Sequence, residues 1–174
     1  PYNFLVSFGT RDSKNYTELL LNLILNDSEL KKKLNIICLI GNSFENKKRI
    51  IKKFSKITSI TLLENYQSLL DLKVTCNFAI GAPGISHAER LYMGIATILL
   101  PQNKIHKQII KGWENLGCTI GSSLNKKVII SSIHKLISND FELAQNISQN
   151  GQTIVDGLGA KRIAQEILNF RGIS

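Results

Sequence analysis

Cysteine is the first thing this chain is short of. Cys38, Cys76 and Cys118 are odd in number and far apart, and no CxxC pair occurs. A disulfide framework and a zinc site are therefore not expected, and the three read as small core residues in a reducing, cytoplasmic compartment. No apolar run approaches the roughly 20 residues of a membrane-spanning helix. The opening segment Pro1-Tyr2-Asn3-Phe4 carries no initiator Met and no basic leader, and it enters a buried-looking strand at once. That beginning is the expectation for a piece cut from a longer chain. The sequons at Asn15, Asn26 and Asn146 carry no weight without a secretory signal.

Acidic residues are scarce as well, with 13 Asp and Glu against 22 Lys and Arg and a formal net charge of +9. Much of the excess sits in Lys31-Lys32-Lys33 and in Lys47, Lys48, Arg49, Lys52, Lys53 and Lys56. Such runs usually form a solvated helix face. Nucleic-acid binding would need aromatic or Arg side chains interleaved with the Lys and a recognisable module, and neither is visible. A pull toward anionic lipid, and so peripheral membrane contact, or toward a nucleotide-linked substrate stays open. Three motifs are missing too: GxGxxG after the first strand, the P-loop and the GxSxG elbow. Their absence argues against a standard NAD enzyme, an NTPase and an α/β-hydrolase. There is no internal repeat and no low-complexity linker.

What is present is a soluble, globular composition. The 174 residues are 43% hydrophobic at a mean hydropathy of zero, enough for one domain with a real core. Short apolar runs stop at Gly or Pro and alternate with helical patterns. Strands are expected at Phe4–Phe8 before Gly9, Asn35–Ile40 before Gly41, Ile57–Leu63, Phe78–Ile80, Ile95–Leu100 before Pro101, and Cys118–Ile120. Between them, Leu19, Leu20, Leu23 and Ile24 recur at helical spacing, and Ile50, Ile51 and Phe54 mark the apolar side of a basic helix. Helices are also expected over Tyr66–Leu72, Lys107–Leu116, Lys126–Ile137, Phe141–Asn150 and Ala160–Phe170. This alternation predicts an α/β fold with a doubly wound, parallel, Rossmann-like sheet. The ends at Gly9, Gly41, Gly81 and Leu100 should line one edge, the predicted ligand edge.

The chain is organised around Ala79-Ile80-Gly81-Ala82-Pro83-Gly84-Ile85-Ser86-His87-Ala88-Glu89-Arg90, a strand, a stiff turn and a helix start. In an open parallel sheet, ligands bind beyond the carboxyl ends of the strands. The free N–H groups and dipole of the following helix favour an anion there. Gly81 and Gly84 remove side chains that would hold a phosphate away, and Pro83 stiffens the turn. Ser86-x-x-Glu89 equally reads as a capping box with a purely structural role. His87 at the mouth of the turn and His106 past the fifth strand are candidate catalytic groups, although each is also readable as an ordinary surface histidine. His134 reads as structural, and Asp12 and Asp140 as capping or loop residues.

Three segments resemble one family. Val6-Ser7-Phe8-Gly9-Thr10-Arg11-Asp12-Ser13-Lys14-Asn15-Tyr16-Thr17 is similar to its Ser-Phe-Gly-Gly-Ser-Asp pattern with Lys-Asn-Leu-Thr following. The central stretch is similar to Gly-Ala-Gly-Gly-Thr-Thr-Thr-Trp-Glu-Arg. Val155-Asp156-Gly157-Leu158-Gly159-Ala160 is similar to its C-terminal signature. The family is the pseudaminic-acid pathway UDP-sugar hydrolase and its spore-coat-polysaccharide relatives, which have a GT-B fold of two Rossmann-like domains. The resemblance implies that this chain is the C-terminal half and that an N-terminal domain is missing, along with the histidine that acts there as base.

The same resemblance implies that the backbone from Gly84 through Ile85 and Ser86 to His87, together with the Ser86 hydroxyl, binds the diphosphate of UDP or a UDP-linked sugar. Gly9 and Thr10 would approach from the first loop, and Glu89 would accept from the ribose hydroxyls, with no cofactor or metal. Thr10 and Arg11 stand where the family has Gly and Ser, and Ile85-Ser86-His87-Ala88 where it has three Thr and a Trp. The family's Glu-Asn-Gln falls on Lys104-Ile105-His106, which makes Asn103, His106 and Gln108 the candidate sugar contacts. The implied activity is hydrolysis or transfer of a glycosyl group. Two alternatives remain: a membrane-associated, lipid-linked glycosyltransferase, and a non-catalytic domain kept for assembly.

Overall fold

The computed structural model describes residues 1–64, 68–71, 76–138 and 140–171. The strands are β1 (Tyr2–Ser7), β2 (Leu34–Ile40), β3 (Ile60–Glu64), β4 (Phe78–Gly81), β5 (Ala96–Leu99) and β6 (Ile120–Gly121). The helices are α1 (Tyr16–Asn26), α2 (Leu30–Lys33), α3 (Lys47–Phe54), α4 (Ile85–Tyr92), α5 (Lys104–Asn115), α6 (Lys126–Leu136), α7 (Glu142–Ile154) and α8 (Gly159–Arg171). One parallel sheet runs β3-β2-β1-β4-β5-β6. This is the doubly wound order, in which the progression of strands reverses between β1 and β4 and leaves a crevice there.

Strand burial follows the pleat. Phe4, Val6, Ile36, Cys38, Ile40, Phe78, Ile80, Ala96 and Ile98 face a core completed by α1, α3, α6 and α7. Leu5, Ile37, Leu39 and Ala79 face a second, smaller core that includes Leu69 and Ile95. Both faces are covered, so the strands read as continuous apolar runs rather than alternating ones. The basic helix behaves as its periodicity predicts: Ile50 and Phe54 are buried while Lys48, Arg49, Lys52, Lys53 and Lys56 face solvent. Arg49 and Lys53 both reach Glu18, and Lys47 reaches Glu64.

Element boundaries shift in places for identifiable reasons. The third strand begins at Ile60 rather than Ile57, because a turn closed by the Ile60 N–H on the Ile57 carbonyl precedes it. The sixth begins at Ile120, after Cys118 has bonded back to Trp113. The helix expected from Lys107 starts at Lys104 because Asn103 caps it. The helix expected to end at Asn150 runs on through Gly151, whose missing side chain lets α7 lie against Leu91. Of the helix expected over Tyr66–Leu72, a 3-10 turn at Leu69–Asp71 is seen, and residues 65–67 and 72 lie outside the described residues. Among the described residues no helix is long and apolar enough to cross a membrane.

Candidate functional site

The site grows from the pairing of β1 with β4. Ser7 stands in register with Gly81, so the two strands end level at the crevice. The Ala82 N–H donates to the Ser7 carbonyl at 3.3 Å, and a Cβ on Gly81 would strike that same carbonyl. Gly81 is therefore a close-packing residue, which corrects the expectation that its bare backbone opens space for a phosphate. Gly84 is different. A Cβ there would meet nothing within 4 Å, and the residue is exposed in an extended conformation that any side chain can adopt. Gly9 on the neighbouring loop has φ +79 and likewise faces open space. Its loop is held by the Thr10 carbonyl, which accepts from the Ser43 N–H at 3.2 Å.

Gly84 is also the N-cap of α4, and among the described residues no side chain caps this helix. The capping box expected at Ser86 and Glu89 is thus not formed. The helix starts two residues earlier than a Ser86 cap would require. Glu89 instead accepts from the Ser68 hydroxyl at 3.0 Å. Ile85 is almost fully exposed at the helix start, and Ser86 is half-buried. Three other helices that start at this edge are closed by side-chain acceptors, whereas α3 has no side-chain cap among the described residues. Asp12 takes the Tyr16 and Thr17 N–H groups, Asn103 takes that of His106, and Asn125 that of Lys127.

The His87 side chain does not face the edge. It is 1% exposed and lies edge-on to Trp113 at 5.4 Å between ring centroids, with neither ring nitrogen hydrogen-bonded among the described residues. Burial, aided by the nearby Arg90 guanidinium, pushes its pKa down to about 3. A neutral, enclosed imidazole cannot exchange protons with a substrate at the edge, so the catalytic role considered for His87 is corrected. Its N–H is also engaged, donating to the Gly84 carbonyl at 2.8 Å. His106 is half-buried at the start of α5, its Nδ1 accepting from the Gln102 N–H at 3.2 Å. Asn103 and Gln108 are exposed on the same helix.

Arg90, matched in the sequence only as the end of the central motif, has a structural role. It is fully buried, and its guanidinium donates to the Ala82 carbonyl at 2.8 Å, holding the turn before α4 in shape. The signal was available, since His87, Arg90 and Leu91 are spaced i, i+3, i+4 and all three are buried.

Several clefts open on the described residues, and two of them matter here. One of about 420 Å³ lies on the carboxyl edge, lined by Lys14 and Tyr16, by Gln102, Asn103, Lys104 and Lys107, and by the loop after β6. Its α5 wall is joined to the central turn, because the Leu100 N–H donates to the Gly81 carbonyl at 2.9 Å. The other, about 380 Å³, lies between the amino ends of β1 and β4 and helix α7 and has no charged lining residue. Cys38 and Cys118 are buried and Cys76 is half-buried, all as free thiols, and burial raises the pKa of each.

Searches against family models return no match. The uncharacterized protein MJ1062 of Methanocaldococcus jannaschii is 27% identical over 110 residues, covering 61% of this chain and 22% of that protein. The spore coat polysaccharide biosynthesis protein SpsG of Bacillus subtilis is 22% identical over 165 residues, covering 92% of this chain and 48% of that protein. The chain therefore spans half or less of the length of either curated relative. Among solved structures, the S. aureus MnaA–UDP complex superposes with a TM-score of 0.75 at 13% identity, over 99% of this chain and 47% of that one. Glycosyltransferases superpose over similar shares. The chain thus has the doubly wound, Rossmann-like α/β fold of the segment it matches in GT-B glycosyltransferases and UDP-N-acetylglucosamine 2-epimerases.

Proposed function

We propose that the chain is the nucleotide-binding part of an enzyme that hydrolyses or transfers the glycosyl group of a UDP-linked sugar in surface-polysaccharide or nonulosonic acid biosynthesis. The observation that carries this reading is the start of α4: a helix N-terminus without a side-chain cap among the described residues, beside the β1–β4 crevice, with open space at Gly84 and Gly9. The first N–H groups of α4 and its dipole suit a diphosphate. They stabilise it most as charge develops on the leaving group, which is where such a contact accelerates the reaction. Glu89, one turn along, offers a carboxylate to a diol such as ribose, since it supplies acceptors without competing donors. The attacking water or sugar acceptor, and the base that activates it, belong in this proposal to a further domain of the full-length protein.

Calorimetric titration with UDP, and with ADP and GDP as controls, tests the reading on the wild-type chain and on Gly84→Val. A valine fits the extended backbone and the empty space at Gly84, so the fold is kept and the urea midpoint falls by no more than a poorer N-cap residue costs, about 1 kcal/mol. Its methyl groups would sit where the diphosphate must approach. Saturable binding selective for UDP, weakened at least about tenfold in the variant, is the expected result. Equal UDP affinity in Gly84→Val would remove α4 from the site. Absence of nucleotide binding by the wild type would favour a domain kept for assembly.

A further inference from the structure

We infer that the sugar carried by the nucleotide is acidic, its carboxylate held in the lysine-lined cleft beside the diphosphate site. This rests on the nucleotide reading above and names the substrate class of the same edge. The cleft of about 420 Å³ joins the loop after β1, the start of α5 and the loop after β6, and three of its lining residues are Lys14, Lys104 and Lys107. No carboxylate lines it. Elsewhere, Lys33 pairs with Glu29, Lys47 with Glu64 and Lys53 with Glu18, and the other described lysines are exposed at the surface. Among the described residues, the three lysines of the cleft form no ion pair.

The remaining polar groups are biased the same way. The Gln102 Nε2 is buried with no hydrogen-bond partner among the described residues, so a donor is left over. The Asn103 carbonyl oxygen, one of the few acceptors, is already taken by the His106 N–H at 2.8 Å. The Tyr16 hydroxyl is aimed at the Pro101 carbonyl at 3.3 Å. A neutral sugar presents hydroxyls that both donate and accept, and its site normally answers with carboxylates and amides. Three lysine ammonium groups around one cleft, with no carboxylate among its lining residues, answer instead to a group that only accepts, as a uronic acid carboxylate does. The α5 N-terminus adds its dipole in the same sense.

The test is competitive titration of the wild-type chain and of a Lys104→Gln, Lys107→Gln double variant with UDP-glucuronate, UDP-galacturonate, UDP-glucose and UDP-galactose. The readout is the ratio of acidic to neutral sugar affinity within each protein, with UDP alone as reference. Both lysines are exposed, so the variant keeps its fold. The expected result is a preference of about tenfold for at least one uronic acid in the wild type, shrinking with added salt and falling to about one in the variant. UDP binding with no acidic preference, or a preference that survives in the variant, overturns the inference and leaves the nucleotide reading standing. Failure of every compound, UDP included, overturns both.

Discussion

At the scale of single residues, His87 shows how little a side chain's chemistry says about its role until its surroundings are known. The imidazole is enclosed against Trp113 beside a buried arginine, with no hydrogen-bond partner for either nitrogen among the described residues. Folding therefore holds it neutral, with the pKa pushed to about 3 from the 6.5 of an unfolded chain. A folded-state pKa below the unfolded one means that stability is fully present above 6.5 and is lost as the pH falls toward 3, because only the unfolded chain takes up the proton. His87→Phe removes that linkage and keeps an aromatic ring against Trp113. Urea unfolding at pH 7 and pH 5 measures it. The variant should gain on the wild type by about 2 kcal/mol between the two pH values, because the wild type alone carries this penalty. An equal difference at both pH values would mean that His87 protonates in the fold.

At the scale of elements, the helices around the ligand edge start in different ways, some closed by a side-chain acceptor and some, like α4 and α3, without one among the described residues. Helix α1 is closed by Asp12, which is buried and takes the Tyr16 and Thr17 N–H groups at 2.9 and 2.7 Å across a left-handed Asn15. Asp12→Ala leaves both donors unpaired in a buried place and should cost about 2 kcal/mol in urea unfolding. Asp12→Asn, which keeps one acceptor, should cost clearly less, and equal losses would contradict the capping role. The capping reading of Asp12 was legible from its place in a polar loop before a periodic run. So were the strands that stop at Gly9 and Gly41, because an apolar run ended by glycine is a local signal. The start of α4 was not legible in full. Ser86-x-x-Glu89 matches a capping box, yet Glu89 is drawn to Ser68, 21 residues away, and an extended Gly84 takes the cap position instead. Contacts at that separation leave no trace in a local pattern. Gly81 misled for the same reason, since what its missing side chain spares is a carbonyl on β1, 74 residues earlier in the chain.

At the scale of the whole molecule, α8 stands apart from the sheet. Every residue from 156 to 170 is exposed, and Ile163, Ile167 and Phe170 lie on one face at 64, 54 and 82% exposure. The start of the helix is well made. Asp156 accepts from the Leu158 N–H at 2.9 Å and pairs with both Arg162 nitrogens, which holds its pKa at about 2. A cap and an ion pair do not hold 13 residues helical, however, because isolated helices of that length are marginal in water without a buried face. In this chain by itself, hydrogen exchange should therefore find the α8 amides protected less than about tenfold, while those of β1 and β4 reach the protection of global unfolding. The same measurement on a longer form of the protein, with further sequence able to cover the apolar stripe, should raise α8 protection by orders of magnitude and leave the sheet as it was. Strong protection of α8 in the chain alone would show that the helix is stable without a partner, and the stripe would then lose its meaning as a contact surface.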